Sequence, residues 1–365
     1  MKIAILSFYS GIYQRGVERW TYELANRLTN RHEIVVYQNG TANHGAKYKI
    51  SSEELPFNIE KKEILVPLQK RAFFDYKSRK VFVFALRLIP KLWKENFDII
   101  IPTDGGWEPA IIRILTWIKR KKMIIVGHAG IGWDDKNNLW SFPNVFVALS
   151  SYAKSWAKKV NPLIKIKHIP DGVDINKFNP KGDKLSLKIG TPTILTVGAL
   201  TKEKRIDLII KAVSKIESVS LLIVGEGKEK GRLQELGEEL LGDRFLIKQF
   251  DFDEMPKVYR SADLFVSASL PYFSFEMVLL ESMATNLPVV ANDDSIRREI
   301  IGNAGYFADP SDTNSFAEKI DSALKKEWKL KPRKQATKFS WDEVVIKYRK
   351  LFEDVVKTRS HYDIS

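Results

Sequence analysis

The stretch from Leu264 to Ala291, LFVSASLPYFSFEMVLLESMATNLPVVA, limits the fold more than any other part of the chain. It opens and closes on short apolar, β-prone runs, LFVSAS and LPVVA, which read as buried strands. Between them, Met277 to Ala284 is apolar on every side except for Glu281 and Ser282, the mark of a buried helix. Asn286 stands where a left-handed C-terminal residue is wanted, and Pro288 follows. A carboxylate on such a helix is costly unless something satisfies it. Glu281 therefore either pairs with a nearby Lys or Arg, or accepts hydrogen bonds from the vicinal hydroxyls of a bound ribose. In the second case the preceding loop aims the helix N-terminus, with its free N–H groups, at the attached phosphates.

The same grammar recurs along the chain. Lys2 to Phe8 reads as a buried strand, Tyr9 to Gly16 as a loop, Val17 to Leu28 as a helix, and HEIVVYQ as the next strand. Ligands of such βαβ units bind beyond the carboxyl ends of the strands. Gly16, just before the helix, either lets a phosphate approach the backbone or serves a tight turn. FDIIIPT ends in Asp104, Gly105 and Gly106, and KMIIVGHAG ends at Gly127 and His128, so two further strands end in small, polar residues. His128 is a candidate functional residue or a satisfied core histidine. VFVALSSYAKSWAKK adds a strand and a helix starting near Ser150 or Ser151. Lys70 to Lys94 interleaves basic residues with aromatics. It reads as a helix resting on an anionic membrane face, or as surface helices packing aromatics onto the sheet.

The texture changes over Lys165 to Lys184, where Asp171-Gly172, Pro180 and Gly182 break the pattern. A second α/β unit follows: ILTVG, the loop ALTKEKR, and the helix IDLIIKAVSKI. Lys204 and Arg205 sit at the start of that helix, where two cations oppose the dipole unless an anion lies between them. Trp341 to Lys357 reads as a long amphipathic C-terminal helix. The domain expectation is 1–172, 173–338, and a terminal helix in 339–365.

The chain has 365 residues, enough for two domains, and no cysteine, which removes disulfides and thiolate chemistry. Five scattered histidines without HExxH argue against a dedicated metal site. The net charge of +14 favours an anionic partner, or is the Lys-rich surface of a high-temperature protein. The basic residues are spread along the chain rather than gathered into a nucleic-acid module, so no nucleic-acid partner is expected. No apolar run reaches the ~18 residues of a membrane span, and Met1 to Phe8 is too short for a signal peptide, so a cytoplasmic protein is expected.

VGALTKEKRIDLIIKA, LLIVGEG, FDEMPKVYRSADLFVSAS, LLESMATNLPVVA and EIIGNAG follow one another in an order and spacing that resemble family 4 of the glycosyltransferases. HIPDGVDINKFNP resembles that family's interdomain segment, with Asp171 where Asn is usual, and GVERWTYELANRL resembles its first loop and helix. The resemblance implies an α/β GT-B fold: two facing Rossmann-like domains, the C-terminal helix crossing back to the first. It implies a retaining, metal-independent hexosyltransferase that needs no cofactor. The nucleotide-diphosphate sugar donor is a co-substrate held mainly by the second domain. The acceptor goes to the first; the basic aromatic stretch Lys70 to Lys94 suggests that it is a glycan or a lipid-linked glycan at an anionic membrane surface.

By the same resemblance Glu281 falls on the ribose-binding glutamate, Lys204 on the diphosphate-binding lysine, Gly16 on the first-domain glycine loop, and His128 on the histidine near the donor sugar. The donor-binding set becomes Gly16, Lys204, Arg205, Phe275, Glu276, Met277 and Glu281; the catalytic set becomes His128, Lys204 and Glu276. Three positions depart from the family pattern. Phe273 replaces a glutamate, Glu276 a glycine, and Ala199 an arginine. Glu276 is the candidate to supply the missing carboxylate, and Arg205 the missing cation. Competing readings are another GT-B activity, such as an epimerase or an inverting transferase, and an idle nucleotide-sugar-binding or scaffold protein.

Overall fold

A computed structural model describes residues 1–357 apart from 14, 44, 56–72, 74 and 273. The chain divides into two compact units, Met1–Pro170 with Val344–Ser365, and Asp171–Glu343.

In the first unit seven strands form one sheet: β1 (Lys2–Leu6), β2 (Glu33–Gln38), β3 (Lys49–Ser52), β4 (Ile99–Pro102), β5 (Lys122–Val126), β6 (Val145–Ala148) and β7 (Ile166–His168). Their order is β3-β2-β1-β4-β5-β6-β7, and every pairing is parallel. β1, β4, β5 and β6 are apolar almost throughout because helices cover both faces of a parallel sheet. Ala4, Leu6, Val35, Ile100 and Ile125 pack against Phe84 and Leu88 of the helix Tyr76–Glu95. The strand order reverses between β1 and β4, the switch point where a parallel sheet leaves a crevice.

The second unit repeats the plan with β8 (Thr193–Val197), β9 (Ser220–Val224), β10 (Phe245–Lys248), β11 (Leu264–Ser267), β12 (Val289–Asn292) and β13 (Gly305–Ala308). Their order is β10-β9-β8-β11-β12-β13, so the switch point lies between β8 and β11. The helix Met277–Ala284 joins β11 to β12 with the bounds the sequence predicts.

The helix Trp341–Lys357 begins in the second unit and belongs to the first from Val344 on. There Tyr348 meets Trp20 edge-on at 5.8 Å, and Arg349 Nη2 donates to the Arg27 carbonyl at 2.9 Å. The basic aromatic stretch holds one described helix, Tyr76–Glu95, while Lys70, Arg71 and Phe74 lie outside the described residues. Lys80 is only 3 % exposed, with its ammonium 4.2 Å from the Tyr76 ring, so it belongs to the interior rather than to a basic surface.

Candidate active site

In the second unit the site grows from the ends of β8 and β11. β8 runs into Gly198, at φ +159°, and a Cβ there would stand 3.6 Å from Lys204 Cε. A Cβ on Gly225, just after β9, would stand 1.9 Å from the Gly198 carbonyl oxygen, so only glycine fits. This tight packing folds the loop back, and a short turn over Lys202–Lys204 carries the Lys204 side chain across the end of the sheet. Arg205 follows in the left-handed region, at φ 47°, and starts the helix Ile206–Val213. Its guanidinium donates to the Ala268 carbonyl at 2.7 Å and the Ser269 carbonyl at 3.1 Å. Arg205 thereby ties the loop after β8 to the loop after β11.

Glu276 is the centre of this arrangement. It precedes the helix Met277–Ala284 at φ 60°, the left-handed conformation that a glycine adopts without strain. Its carboxylate accepts from Lys204 Nζ and Ser269 Oγ on one oxygen. The other oxygen accepts from Ser267 Oγ at 3.1 Å and Arg297 Nη2 at 2.9 Å. Burial alone would raise the pKa of this carboxyl, but Lys204 and Arg297 hold it well below the usual carboxylate range. Arg297 is fully buried on the helix Ser295–Ile301, with Asp294 Oδ2 3.4 Å from its Nη1. Its Nε and Nη1 make no hydrogen bond.

Glu281 lies one helical turn further on and is half-buried. The Tyr259 hydroxyl donates to its Oε2 at 2.8 Å. Burial pushes the Tyr259 phenol well above its ordinary pKa, with the Glu281 charge adding to the effect. Phe275 is buried against Phe339, ring centroids 6.2 Å apart, and Met277 is half-buried at the helix start. Phe273 lies outside the described residues.

Five of the seven predicted donor residues thus come from two adjacent loops and one helix of the second unit: Lys204, Arg205, Phe275, Glu276 and Met277. Glu281 makes a sixth on that same helix. Ser267, Ser269, Asp294 and Arg297 were not foreseen. Serines on an otherwise apolar strand end were the available signal for the first two. For the others it was Asp-x-x-Arg at the start of a helix.

Gly16 and His128 belong to the first unit. Gly16 is exposed and is the first residue of the helix Gly16–Leu28 rather than the residue before it. Arg15, its predecessor, donates its backbone N–H to Glu18 Oε2 at 3.1 Å. His128 follows β5 and stacks edge-on against Trp20 at 4.7 Å, with Nε2 shielded and unpartnered. Burial pulls its pKa down to about 3, so the ring is neutral. His128 also lines a cavity of about 290 Å³ beyond the ends of β4 and β5, together with Tyr9, Asp104, Asp135 and Asn138.

A family model described as Glycosyltransferase Family 4 matches residues 14–177, and one described as Glycosyl transferases group 1 matches residues 179–340. Among curated proteins, a phosphatidyl-myo-inositol mannosyltransferase of Mycolicibacterium smegmatis is 27 % identical over 225 residues, 57 % of either chain. An uncharacterised glycosyltransferase of Methanocaldococcus jannaschii is 33 % identical over 165 residues, 41 % of this chain and 42 % of that one. The matches thus span less than two thirds of these relatives. Among solved structures, sucrose-phosphate synthase from Thermosynechococcus elongatus superposes with TM-score 0.77 at 18 % identity, over 97 % of this chain and 98 % of that one. Anabaena HepE in complex with UDP and glucose gives 0.74 at 17 % identity, over 98 % and 100 %. Two Rossmann-like sheets with matching switch points, and family models meeting end to end along the sequence, lead to one conclusion: the chain belongs to glycosyltransferase family 4 and has the GT-B fold.

Proposed function

We propose that the chain is a retaining glycosyltransferase that moves a sugar from a nucleotide-diphosphate sugar to an acceptor hydroxyl. The observation that carries this reading is the convergence of Lys204, Arg205 and Arg297 with Glu276 and Glu281 at the switch point of the second sheet. Glu281 is placed to accept from ribose hydroxyls, with Tyr259 orienting its carboxylate. Lys204, whose ammonium meets Glu276, is the cation this reading assigns to a diphosphate oxygen. As the bond from the anomeric carbon to the diphosphate breaks, charge develops on the leaving oxygen, and Lys204 with the helix N-terminus stabilises it. In front-face attack the acceptor oxygen bonds to the anomeric carbon on the side the diphosphate leaves. The acceptor's proton passes to the departing phosphate oxygen, so no enzyme nucleophile is needed. Because protein cations carry the charge, we expect turnover to survive EDTA.

The acceptor in this reading is a glycan or a lipid-linked glycan at the cytoplasmic face of a membrane. Two features support it. One relative is named for transfer to a phosphatidyl-inositol. The helix Glu108–Ile118 also exposes Trp117 at 56 % and Ile118 at 63 %, followed directly by Lys119, Arg120 and Lys121. Among the described residues no helix is long and apolar enough to cross a membrane.

A second reading rests on Glu276, which already neutralises Lys204 and Arg297: an idle nucleotide-sugar-binding protein. Thermal shifts with UDP, GDP, ADP and their sugars test nucleotide binding, and NMR of the product's anomeric centre tests retention. No stabilisation by any nucleotide overturns the main reading, and turnover of any donor rejects the second.

A further inference from the structure

The cavity of the first unit has a chemistry that neither the donor set nor the family match assigns. Three carboxyls stand at or beside it, Glu108 and Asp135 buried and Asp104 half-buried. Asp104 Oδ2 accepts from the Phe8 amide at 2.7 Å, and Glu108 accepts from the Asp104 amide at 3.1 Å. Asp135, 3 % exposed, accepts from Asn138 Nδ2 at 3.1 Å, and its Oδ2 lies against Gly127, where a Cβ would come within 2.9 Å. Burial pushes Asp104 up to about 7 and Asp135 up to about 8, and it raises Glu108 well above its ordinary value.

Beside them is an atom whose hydrogen-bond need is unmet. Asn138, 7 % exposed, spends its amide N–H on Asp135, while its Oδ1 is buried with no partner. That oxygen lies 3.8 Å from where a Cβ on Gly105 would stand, on the cavity wall. His128 Nε2, on the same wall, is also unpartnered. Asp75 and Asp134 line the cavity too, and among its described lining residues Lys77 is the one charged cation. Arg15, nearby, is engaged with Glu18 at 3.3 Å and stacks over Tyr9 at 5.0 Å. A chain of net charge +14 has therefore built an acceptor-rich, acidic cavity near the lower end of ligand-pocket sizes, about 300 Å³.

We propose that this cavity binds a primary ammonium group, so that the acceptor is an amino sugar or a similar amino alcohol. This rests on the reading that the first unit takes the acceptor. A hydroxyl donates one hydrogen bond and brings lone pairs that themselves need donors; among the described lining residues Ser78 and Thr103 spend their hydroxyls on Asp75 and the Leu6 carbonyl, which leaves Lys77 and Tyr9 as side-chain donors. An ammonium only donates, three times, and Asp104, Asp135 and Asn138 Oδ1 answer it. It also offsets the effect of burial on the raised carboxyls, because an adjacent cation favours the ionised form. Binding therefore expels protons from the carboxyls, Asp104 and Asp135, that meet the ammonium.

The test is calorimetric titration of the full chain at pH 7 with methyl glucosaminide, methyl glucoside and methyl N-acetylglucosaminide, each in two buffers of different ionisation heat. The amine is expected to bind about tenfold or more tighter than either neutral sugar, with net proton release. Asp135→Asn should abolish the preference and cut the release to the share of Asp104. That side chain is largely protonated at pH 7 already, so the variant keeps its fold; Asp104→Asn serves as a second check. Equal binding of the three sugars, binding without proton release, or no binding of the amine each overturns the proposal. Nucleotide thermal shifts run in parallel separate the two failures. If nucleotides still stabilise the protein, only the ammonium assignment is lost; if they do not, the transferase reading falls too.

Discussion

At the residue scale the molecule turns on Glu276. A left-handed φ costs a non-glycine residue about 1 kcal/mol or more, and the chain retains it with a carboxylate held by two cations and two serines. Glu276→Gln leaves Arg297 buried with Asp294 alone, so a stability loss of about 3 kcal/mol is expected, read from denaturant unfolding. It also removes the Lys204–Glu276 ion pair, so KM for the donor should rise. A variant with unchanged stability and unchanged donor kinetics would remove Glu276 from the site. Lys204→Ala should lower turnover about a hundredfold or more, because it deletes a charge aimed at the leaving group. If Arg205 adds an independent phosphate contact, the double variant is worse still. Its donors already go to Ala268 and Ser269, so we expect instead that it behaves like Lys204→Ala.

The raised carboxyls of the first unit give a pH prediction of definite sign. Asp104 and Asp135 have folded pKa values of about 7 and 8, above the unfolded carboxylate range. Between the unfolded and folded values these two groups bind more protons in the native state, so their contribution to stability is lost as pH rises towards 8, while the lowered pKa values of His128 and Glu276 act in the opposite sense at lower pH. Each group contributes up to about 1.4 kcal/mol per pH unit within that window. Asp135→Asn should flatten the slope measured by unfolding between pH 5 and 8. An unchanged slope would show that this carboxyl is ionised throughout.

At the scale of elements, legibility followed burial pattern. β1, β4, β5, β8, β11 and β12 are short apolar runs closed by polar or small residues, and the sequence marks them plainly. The helix Met277–Ala284 was equally plain because tertiary burial made it apolar all round. The helix Trp133–Trp140 was invisible: WDDKNNLW buries Asp135, Asn138 and Leu139, so its inward face is polar and carries no apolar period. The element the sequence hid is the one that lines the acidic cavity, and local rules fail there because its inward face is polar. β3, with only half-buried and exposed residues, was missed for lack of any apolar signal. The candidate donor residues on the loops were legible through family resemblance. Their mutual contacts were not, because Lys204, Glu276 and Arg297 meet through the fold and not through spacing. Packing between elements offers its own test at Gly237, on the helix Lys230–Leu241. A Cβ there would stand 2.1 Å from the Phe245 ring. Despite alanine's better helix propensity, Gly237→Ala should destabilise the protein by about 1–3 kcal/mol through overpacking. A rise in melting temperature would mean that Phe245 moves aside freely.

At the scale of the whole molecule, one architecture is used twice with different chemistry at each switch point. The end of the second sheet carries Lys204, Arg205 and Arg297; the cavity of the first is lined by Asp104, Asp135 and their neighbours. The surplus charge of +14 lies outside that acidic cavity, and some of it stands beside exposed aromatics. Lys119 lies 4.9 Å over Trp93, and Arg113 lies 4.7 Å over Trp117. Aromatic rings with flanking cations suit the headgroup layer, where the ring body meets acyl chains and the charge meets phosphate. On this account vesicles containing anionic phospholipid should pellet the protein, and neutral vesicles should not. Each basic residue near such a surface contributes about 1 kcal/mol, so Lys119→Gln with Arg120→Gln should weaken partitioning roughly thirtyfold. Trp117→Ala should weaken it in neutral and anionic mixtures alike, because its share is burial of apolar area. Raising the salt should mimic the charge variants but spare the tryptophan contribution. Pelleting that ignores lipid charge, salt and all three substitutions would show that these exposed side chains serve something other than a membrane. The acceptor would then be sought among free glycans.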